Sequence, residues 1–299
     1  MGEFFSIASA LCWAVALLLF RVAPAAPDQL NLFKNSLALL CLLFTLPWIE
    51  EARWLWSGDA LLRLALSGAV GIGIADTLFL SALKRLGATG AAIVECTYPI
   101  FVITLSFFWL SEPLSLAFLG SAALIIFGVG LAAIGPQAEG AVEKKVRSGR
   151  LSDEHHALLL GVASMALMAF GVLIAKPVLD ENELCSVTTA RLFWGIVAQS
   201  AWLLLSGRRA AFSILRPSMR WRSLAAPAFL GTYVAMLLWL AGMKYATLSL
   251  STALSQLAPI FTLFLARVFF KEPLGARRLL GASCATLGTI AALLTGSGN

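Results

Sequence analysis

Two acidic side chains, Asp76 and Glu95, lie inside long apolar stretches of the sequence. A carboxylate held away from water is costly unless it faces protein or a water-filled cavity, so it is a candidate for function. Each could bind a proton or part of a substrate, or could be the structural partner of a buried cation. The candidate cations are Lys34 and Arg191, which lie early in two other apolar stretches. They could hold a substrate carboxylate, or extend their long side chains to a nearby interface.

Four aromatic residues in the apolar stretches are candidate walls of a binding cavity: Trp13, Phe79, Tyr98 and Trp239. Phe79 and Trp239 are as far apart in the sequence as the two prolines Pro99 and Pro259. Two aromatic walls at one cavity would suit an apolar or aromatic substrate side chain. Ordinary packing between helices explains the same residues equally well.

Pro99 and Pro259 fall inside apolar stretches, where proline removes a backbone hydrogen bond and kinks a helix. Bent helices at corresponding positions of two repeated halves are typical of the binding site of a transporter. The prolines are therefore predicted hinges, and the polar Ser255 and Gln256 just before Pro259 are predicted to contact substrate. A proline tolerated by packing is the alternative.

The sequence contains an internal duplication. Pro99-Ile100-Phe101 and Pro259-Ile260-Phe261 each lie thirteen residues before a Glu-Pro-Leu triplet, which begins at Glu112 and Glu272. The separation of the two prolines therefore equals that of the two glutamates, and we call it the repeat spacing. Each Glu-Pro pair is typical of a helix start, because proline suits the first turn and a carboxylate favours its positive end.

Composition predicts an integral membrane protein. The chain has 299 residues, of which 60% are hydrophobic and 13% charged, and its mean hydropathy is +0.87. A bilayer-crossing helix needs about 20 mostly apolar residues. Ten stretches satisfy this, and we predict an all-α membrane protein with spans at 4–22, 29–48, 61–82, 88–110, 114–135, 157–176, 185–205, 222–243, 247–269 and 275–295.

The ten spans divide into a first repeat at 1–136, a charged linker loop at 137–156 and a second repeat at 157–299. Because each half has an odd number of spans, the second half starts from the opposite side of the membrane, which predicts two inverted five-helix repeats. Lys and Arg concentrate in the loops after odd-numbered spans, and such loops stay cytoplasmic. We therefore expect both termini outside the cytoplasm, in a bacterial inner membrane.

The two halves resemble EamA repeats of the drug/metabolite transporter superfamily. The resemblance rests on features that both halves share: five helices, a proline in the fourth helix, and a glutamate, Glu112 or Glu272, between the fourth and fifth helices. Each half also has a basic residue in its second helix and small residues in its fifth, including Gly128 or Gly288. It implies a ten-helix secondary transporter, often an exporter of amino acids or other metabolites, with its substrate in a central cavity.

We accordingly expect a secondary-active or facilitative transporter that exports amino acids, including aromatic ones, or similar metabolites by alternating access, with proton coupling as an option. A flippase for a lipid or carrier lipid is the alternative. An enzyme is not expected, because the two histidines are adjacent in a loop and there is no HExxH motif. The five cysteines form no CxxC pair, so neither a metal nor another cofactor is predicted. No nucleic-acid partner is expected, and the protein is predicted to act as a monomer or weak homodimer in the lipid bilayer.

Overall fold

A computed structural model describes residues 2–49, 56–110, 116–133, 150–216, 221–245, 254–255, 257–271 and 275–296. All regular secondary structure in these ranges is helical. The first half contains α1 (Gly2–Val22), α2 (Pro27–Ile49), α3 (Gly58–Ser67), a π-helical segment (Gly68–Ala75), α4 (Asp76–Glu95), α5 (Tyr98–Leu110) and α6 (Leu116–Ala133).

The second half repeats this order. It contains α7 (Arg150–Glu181), α8 (Leu184–Leu205), a 3₁₀ segment (Arg209–Leu215), α9 (Trp221–Ala228), a second π-helical segment (Phe229–Val234), α10 (Ala235–Tyr245), α11 (Leu257–Phe270) and α12 (Ala276–Gly296). The two π-helical segments occupy equivalent places, because shifting Gly68–Ala75 by the repeat spacing gives 228–235, which contains Phe229–Val234. The repeat in the sequence therefore has a counterpart in backbone conformation.

The helix boundaries differ from prediction in two places. α7 begins at Arg150, so residues 150–156, which were predicted to belong to a linker loop, are helical; residues 137–149 lie outside the described part of the chain. The predicted gap between the third and fourth spans narrows to one residue, Gly87, whose φ of 75° and ψ of 177° break α4. A left-handed φ is open to glycine because it has no Cβ, so one glycine suffices to turn the chain.

The region of Pro99 shows a helix break. Cys96 and Thr97 form a turn between α4 and α5, and Pro99 is the second residue of α5, where a missing N–H costs little. Pro259 is the third residue of α11. The Glu-Pro pairs at 112–113 and 272–273, predicted to start the last helix of each half, lie outside the described residues.

The two halves interlock rather than standing side by side. Ser9 on α1 donates a hydrogen bond to the carbonyl of Ala235 on α10 at 2.7 Å, and Ser67 on α3 donates one to the carbonyl of Gly171 on α7 at 2.5 Å. The first helix of each half thus packs against the third span of the other. This exchange places the spans that carry the predicted site residues around one shared centre.

The last helices of the halves, α6 and α12, approach closely through small residues. A Cβ added at Gly128 would lie 2.5 Å from the backbone nitrogen of Ala285, and one added at Gly288 would lie 2.9 Å from the carbonyl oxygen of Ser121. Only glycine leaves room for this approach, which is the packing mode of small residues in membrane helices.

The outer surface and the helix lengths are those of an integral membrane protein. Among the described residues, four segments are long and apolar enough to cross a membrane by length and composition: Gly2–Val22, Pro27–Trp48, Gly58–Glu95 and His155–Glu181. Large apolar side chains such as Phe44, which is 76% exposed, and Leu205, which is 88% exposed, lie on the outside. Exposed apolar surface on this scale is expected where lipid replaces water as the solvent.

Candidate functional site

A cavity of about 300 Å³ lies where the two halves meet. It is lined by α1, α2, the third spans of both halves, α4, α5, α7, α8 and the start of α11. Most residues predicted for the site contribute to its wall: Trp13, Lys34, Asp76, Phe79, Glu95, Tyr98, Arg191, Trp239, Ser255 and Pro259. Pro99 is not among the lining residues, and Gln256 lies outside the described part of the chain. The structure brings these side chains together, and their roles in binding stay predictions.

Lys34 and Asp76 form an ion pair at the cavity wall. The Lys34 Nζ lies 2.5 Å from Asp76 Oδ2, and the two side chains are 6% and 18% exposed. Lys34 Nζ also donates to Asn35 Oδ1 at 2.9 Å. The sequence left two roles open for Asp76: binding a proton or substrate, or pairing with a buried cation. The geometry in the structure is that of the second role.

Asn31, which was not predicted for the site, anchors this pair to the backbone. Its side-chain amide donates to the carbonyls of Ile72 and Gly73 at 3.0 and 3.3 Å, and to Thr77 Oγ1 at 2.9 Å. Its own Oδ1 accepts from Asn35 Nδ2 at 2.9 Å. The wide π-helical turn at Ile72 and Gly73 thus has its carbonyls satisfied from α2, which fixes the segment that leads into Asp76.

Glu95 is held by one indole. Trp13 Nε1 donates to Glu95 Oε1 at 2.6 Å, and the Trp13 ring stacks on Phe79 with centroids 6.3 Å apart and planes inclined by 26°. The other carboxylate oxygen, Oε2, is buried and has no hydrogen-bond partner among the described residues. The cavity therefore contains an acidic group with one oxygen available to a ligand.

Arg191 is the other charged residue of the described cavity wall that has no ion pair. Its Nε donates to Ser67 Oγ at 2.8 Å, and Ser67 in turn donates to the Gly171 carbonyl. Within the described chain, no carboxylate lies within ion-pairing distance of its guanidinium. A Cβ at Gly68 would lie 2.2 Å from the Arg191 carbonyl oxygen, so a glycine is needed for α8 to bring Arg191 this close to the first half.

The apolar wall includes three methionines that were also missed: Met165, Met168 and Met236. Unbranched thioether side chains adapt their shape to different contents. With Trp13, Phe79 and Trp239 they give the cavity an aromatic and sulfur-rich lining in addition to its charged groups.

Apolar packing extends from one side of the cavity. Phe79 and Met165 belong to a buried cluster that continues through residues at the end of α1, the start of α2, the end of α8 and the start of α9: Phe20, Leu30, Phe33, Leu203 and Leu224. On the same side, Lys84 Nζ donates to the carbonyls of Arg21 and Ala23 at 2.9 and 2.6 Å. Residues of both halves therefore pack together on this side of the cavity.

Comparison with known proteins identifies the family. The sequence profile of the EamA-like transporter family, in the drug/metabolite transporter superfamily, matches residues 1–134 and 155–294. No curated protein sequence matches the chain. Among solved structures 26 chains match, and one, described only as the crystal structure of a protein, has a TM-score of 0.63 and 16% identity, covering 98% of this chain and 96% of its own. At that identity the likeness is one of fold alone. Since the family profile covers both halves of this membrane-embedded, cavity-bearing bundle, the chain belongs to the EamA-like transporter family, whose members move small molecules across membranes and are not enzymes.

Proposed function

We propose that this transporter carries amino acids or closely similar metabolites, as an exporter, by alternating access at the cavity between its halves. The observation that carries the proposal is the cavity itself, in which charged and aromatic side chains from both halves enclose one space. Sites that bind small molecules are concave, largely apolar and supplied with few polar groups, which is the arrangement around Glu95, Arg191, Trp13 and Trp239.

An inverted relation of the two halves is part of the proposal. α6 and α12 are repeat equivalents and contact each other at two places. Gly128 of α6 contacts Ala285 of α12. Ser121, which comes earlier in α6, contacts Gly288, which comes later in α12. Contacts that progress in opposite directions along two helices are those of antiparallel packing. Antiparallel packing of equivalent helices is expected if one half is turned over relative to the other.

Inverted halves give a simple basis for alternating access. If the apolar cluster around Phe20 and Leu224 closes one end of the cavity, an exchange of conformation between the halves would open that end and close the other. The helix break before Pro99 lies beside the cavity and is a suitable place for bending. Lys84 would have to release the carbonyls at the end of α1 in the same step.

Proteoliposomes containing the purified protein test the proposal. We expect saturable uptake of radiolabelled amino acids that is accelerated by unlabelled amino acid on the opposite side. Trp239→Ala should reduce this uptake strongly, because it removes a wall of the cavity, whereas Trp202→Ala should not, because Trp202 is 59% exposed and outside the cavity. An imposed pH gradient that leaves the initial rate unchanged would remove proton coupling from the proposal.

Two results would contradict the proposal. Uptake that is equal in the Trp239→Ala and wild-type proteins would show that substrate does not pass through the cavity. Stabilisation of the protein by lipid head-group analogues, without any effect of amino acids, would favour a flippase instead.

A further inference from the structure

The two halves of the chain contribute unequal charges to the cavity. Lys34 and Arg191 are the basic residues of the second helix in each half. The acidic residues have no such counterparts, because one repeat spacing after Asp76 and Glu95 the sequence has Met236 and Ser255. Both carboxylates of the cavity wall therefore come from the first half.

This asymmetry leaves Arg191 and Glu95 without an ion pair at contact distance among the described residues. Asp76 pairs with Lys34 at 2.5 Å, and the residue one repeat spacing after Asp76 is the uncharged Met236. Its described hydrogen-bond acceptor is the uncharged hydroxyl of Ser67, which engages Nε. Glu95 likewise has only the indole N–H of Trp13 on Oε1, while Oε2 is buried without a partner in the described structure.

From this we infer that Arg191 and Glu95 bind the two charged ends of a zwitterionic amino acid, Arg191 its α-carboxylate and Glu95 its α-ammonium group. The inference rests on the proposed function, since it assigns the groups of the same cavity. A buried charge is costly unless it is paired, and a zwitterion supplies both missing partners at once while adding no net charge.

The hydrogen bonds already made by these residues favour the assignment. Because Ser67 holds Nε of Arg191, the two terminal guanidinium nitrogens are left to bind a carboxylate, and the planar guanidinium matches a carboxylate through two parallel bonds. Trp13 orients the Glu95 carboxylate through Oε1 and leaves Oε2 for an ammonium donor. Lys34 and Asp76 act as positioning residues, because their mutual pairing keeps either from competing for the ligand's ends.

The same arrangement predicts where the substrate side chain lies. Trp13 and Phe79 stack on each other beside Glu95, and Trp239 and the methionines line the rest of the apolar wall. A ligand fixed by its backbone charges between the halves would extend its side chain into this region. Specificity among amino acids would then come from the apolar wall, and recognition of amino acids as a class from the charge pair.

The test compares ligands that differ by one charge. Thermal stabilisation of the detergent-purified full-length protein is titrated with each of the twenty L-amino acids. For the most stabilising one the titration is repeated with its amide, which lacks the carboxylate, and its deaminated acid, which lacks the ammonium group. We expect each analogue to bind at least about tenfold more weakly than the parent, the effect of losing a hydrogen-bonded charge.

Variants assign each end of the ligand. Arg191→Gln should weaken binding of the amino acid to the level of its amide, and binding of the amide should not change. Glu95→Gln should weaken binding of the amino acid to the level of its deaminated acid, and binding of the deaminated acid should not change. Met236→Asp should also weaken the preference for the carboxylate, since it adds an acid to the cavity wall that carries Arg191. Arg85→Gln, at an exposed position on α4 outside the cavity, is the matched control.

The outcomes separate this inference from the proposed function. It is overturned if no amino acid stabilises the protein, if the amide and the deaminated acid bind as well as the parent, or if Arg191→Gln retains the preference for a carboxylate. If proteoliposomes nevertheless transport another solute in a manner that depends on Trp239, the cavity remains the transport site and only the assignment of Arg191 and Glu95 falls.

Discussion

Lys34 and Asp76 should stabilise the fold only when both are present. We predict that Asp76→Leu destabilises the protein and that Lys34→Met destabilises it less. The double variant should recover most of the stability lost in Asp76→Leu. Lys34 is 4% exposed and would lose its one carboxylate in Asp76→Leu, whereas the Asp76 side chain is 18% exposed at the cavity and can be hydrated when Lys34 is removed.

The magnitude follows from what each variant leaves behind. Removing one member of a buried ion pair costs about 3–5 kcal/mol, because the other charge stays buried without compensation. Asn35 Oδ1, 2.9 Å from Lys34 Nζ, still accepts one hydrogen bond, so we expect Asp76→Leu to lie at the lower end of that range. At about 2–4 °C of melting temperature per kcal/mol, this corresponds to a decrease of roughly 6 °C or more.

The assay is thermal unfolding in detergent, followed by tryptophan fluorescence, of wild type, both single variants and the double variant. Replacing both partners of a buried ion pair by apolar residues is often close to neutral. The double variant should therefore melt above Asp76→Leu. If the decrease in melting temperature of the double variant equals the sum of the decreases in the two single variants, the two charges are not coupled. The ion pair would then not be what holds α2 against α4.

Three further predictions concern packing and the cavity. Gly128→Leu should lower the melting temperature, because its Cβ would lie within 2.6 Å of the α12 backbone, whereas Gly120→Leu, with nothing within 4 Å, should be tolerated. Trp13→Phe keeps an aromatic ring but loses the N–H that Glu95 accepts, so ligand affinity in the binding titration should decrease, and the melting temperature should also fall because a buried carboxyl group loses its donor. Lys84→Met should increase thiol labelling of a cysteine placed in the apolar cluster, because it frees the end of α1.

Much of the candidate site was predictable because the membrane limits where charge can lie. Asp76, Glu95, Lys34 and Arg191 were singled out only because they occur in apolar stretches, and all four line one cavity. The repeat spacing added Trp239 through Phe79. These inferences needed the positions of residues along the spans and not the rotation of any helix about its axis.

What the sequence could not supply is which groups meet across helices. Asp76 could have paired with either Lys34 or Arg191, and the choice depends on helix rotation and on the π-helical segment that precedes Asp76. The Trp13 and Glu95 hydrogen bond joins residues 82 positions apart, and no spacing rule predicts it.

Asn31 was missed although a signal existed. Asn31, Lys34 and Asn35 are spaced at i, i+3 and i+4, which places three polar side chains on one face of a transmembrane helix. Polar residues at helical spacing within an apolar stretch, and not charges alone, therefore indicate the site-facing side of such a helix.

Side-specific labelling shows whether the cavity between the two halves is accessible from each side of the membrane in turn. Met236→Cys, in a background without the five native cysteines, places one thiol on the cavity wall. An impermeant thiol reagent applied to vesicles of either orientation should label this cysteine from both sides, and a transported amino acid should protect it. Labelling from one side alone under every substrate condition would show that the cavity does not alternate between the two sides. Labelling without protection by any amino acid would show that amino acids do not occupy it.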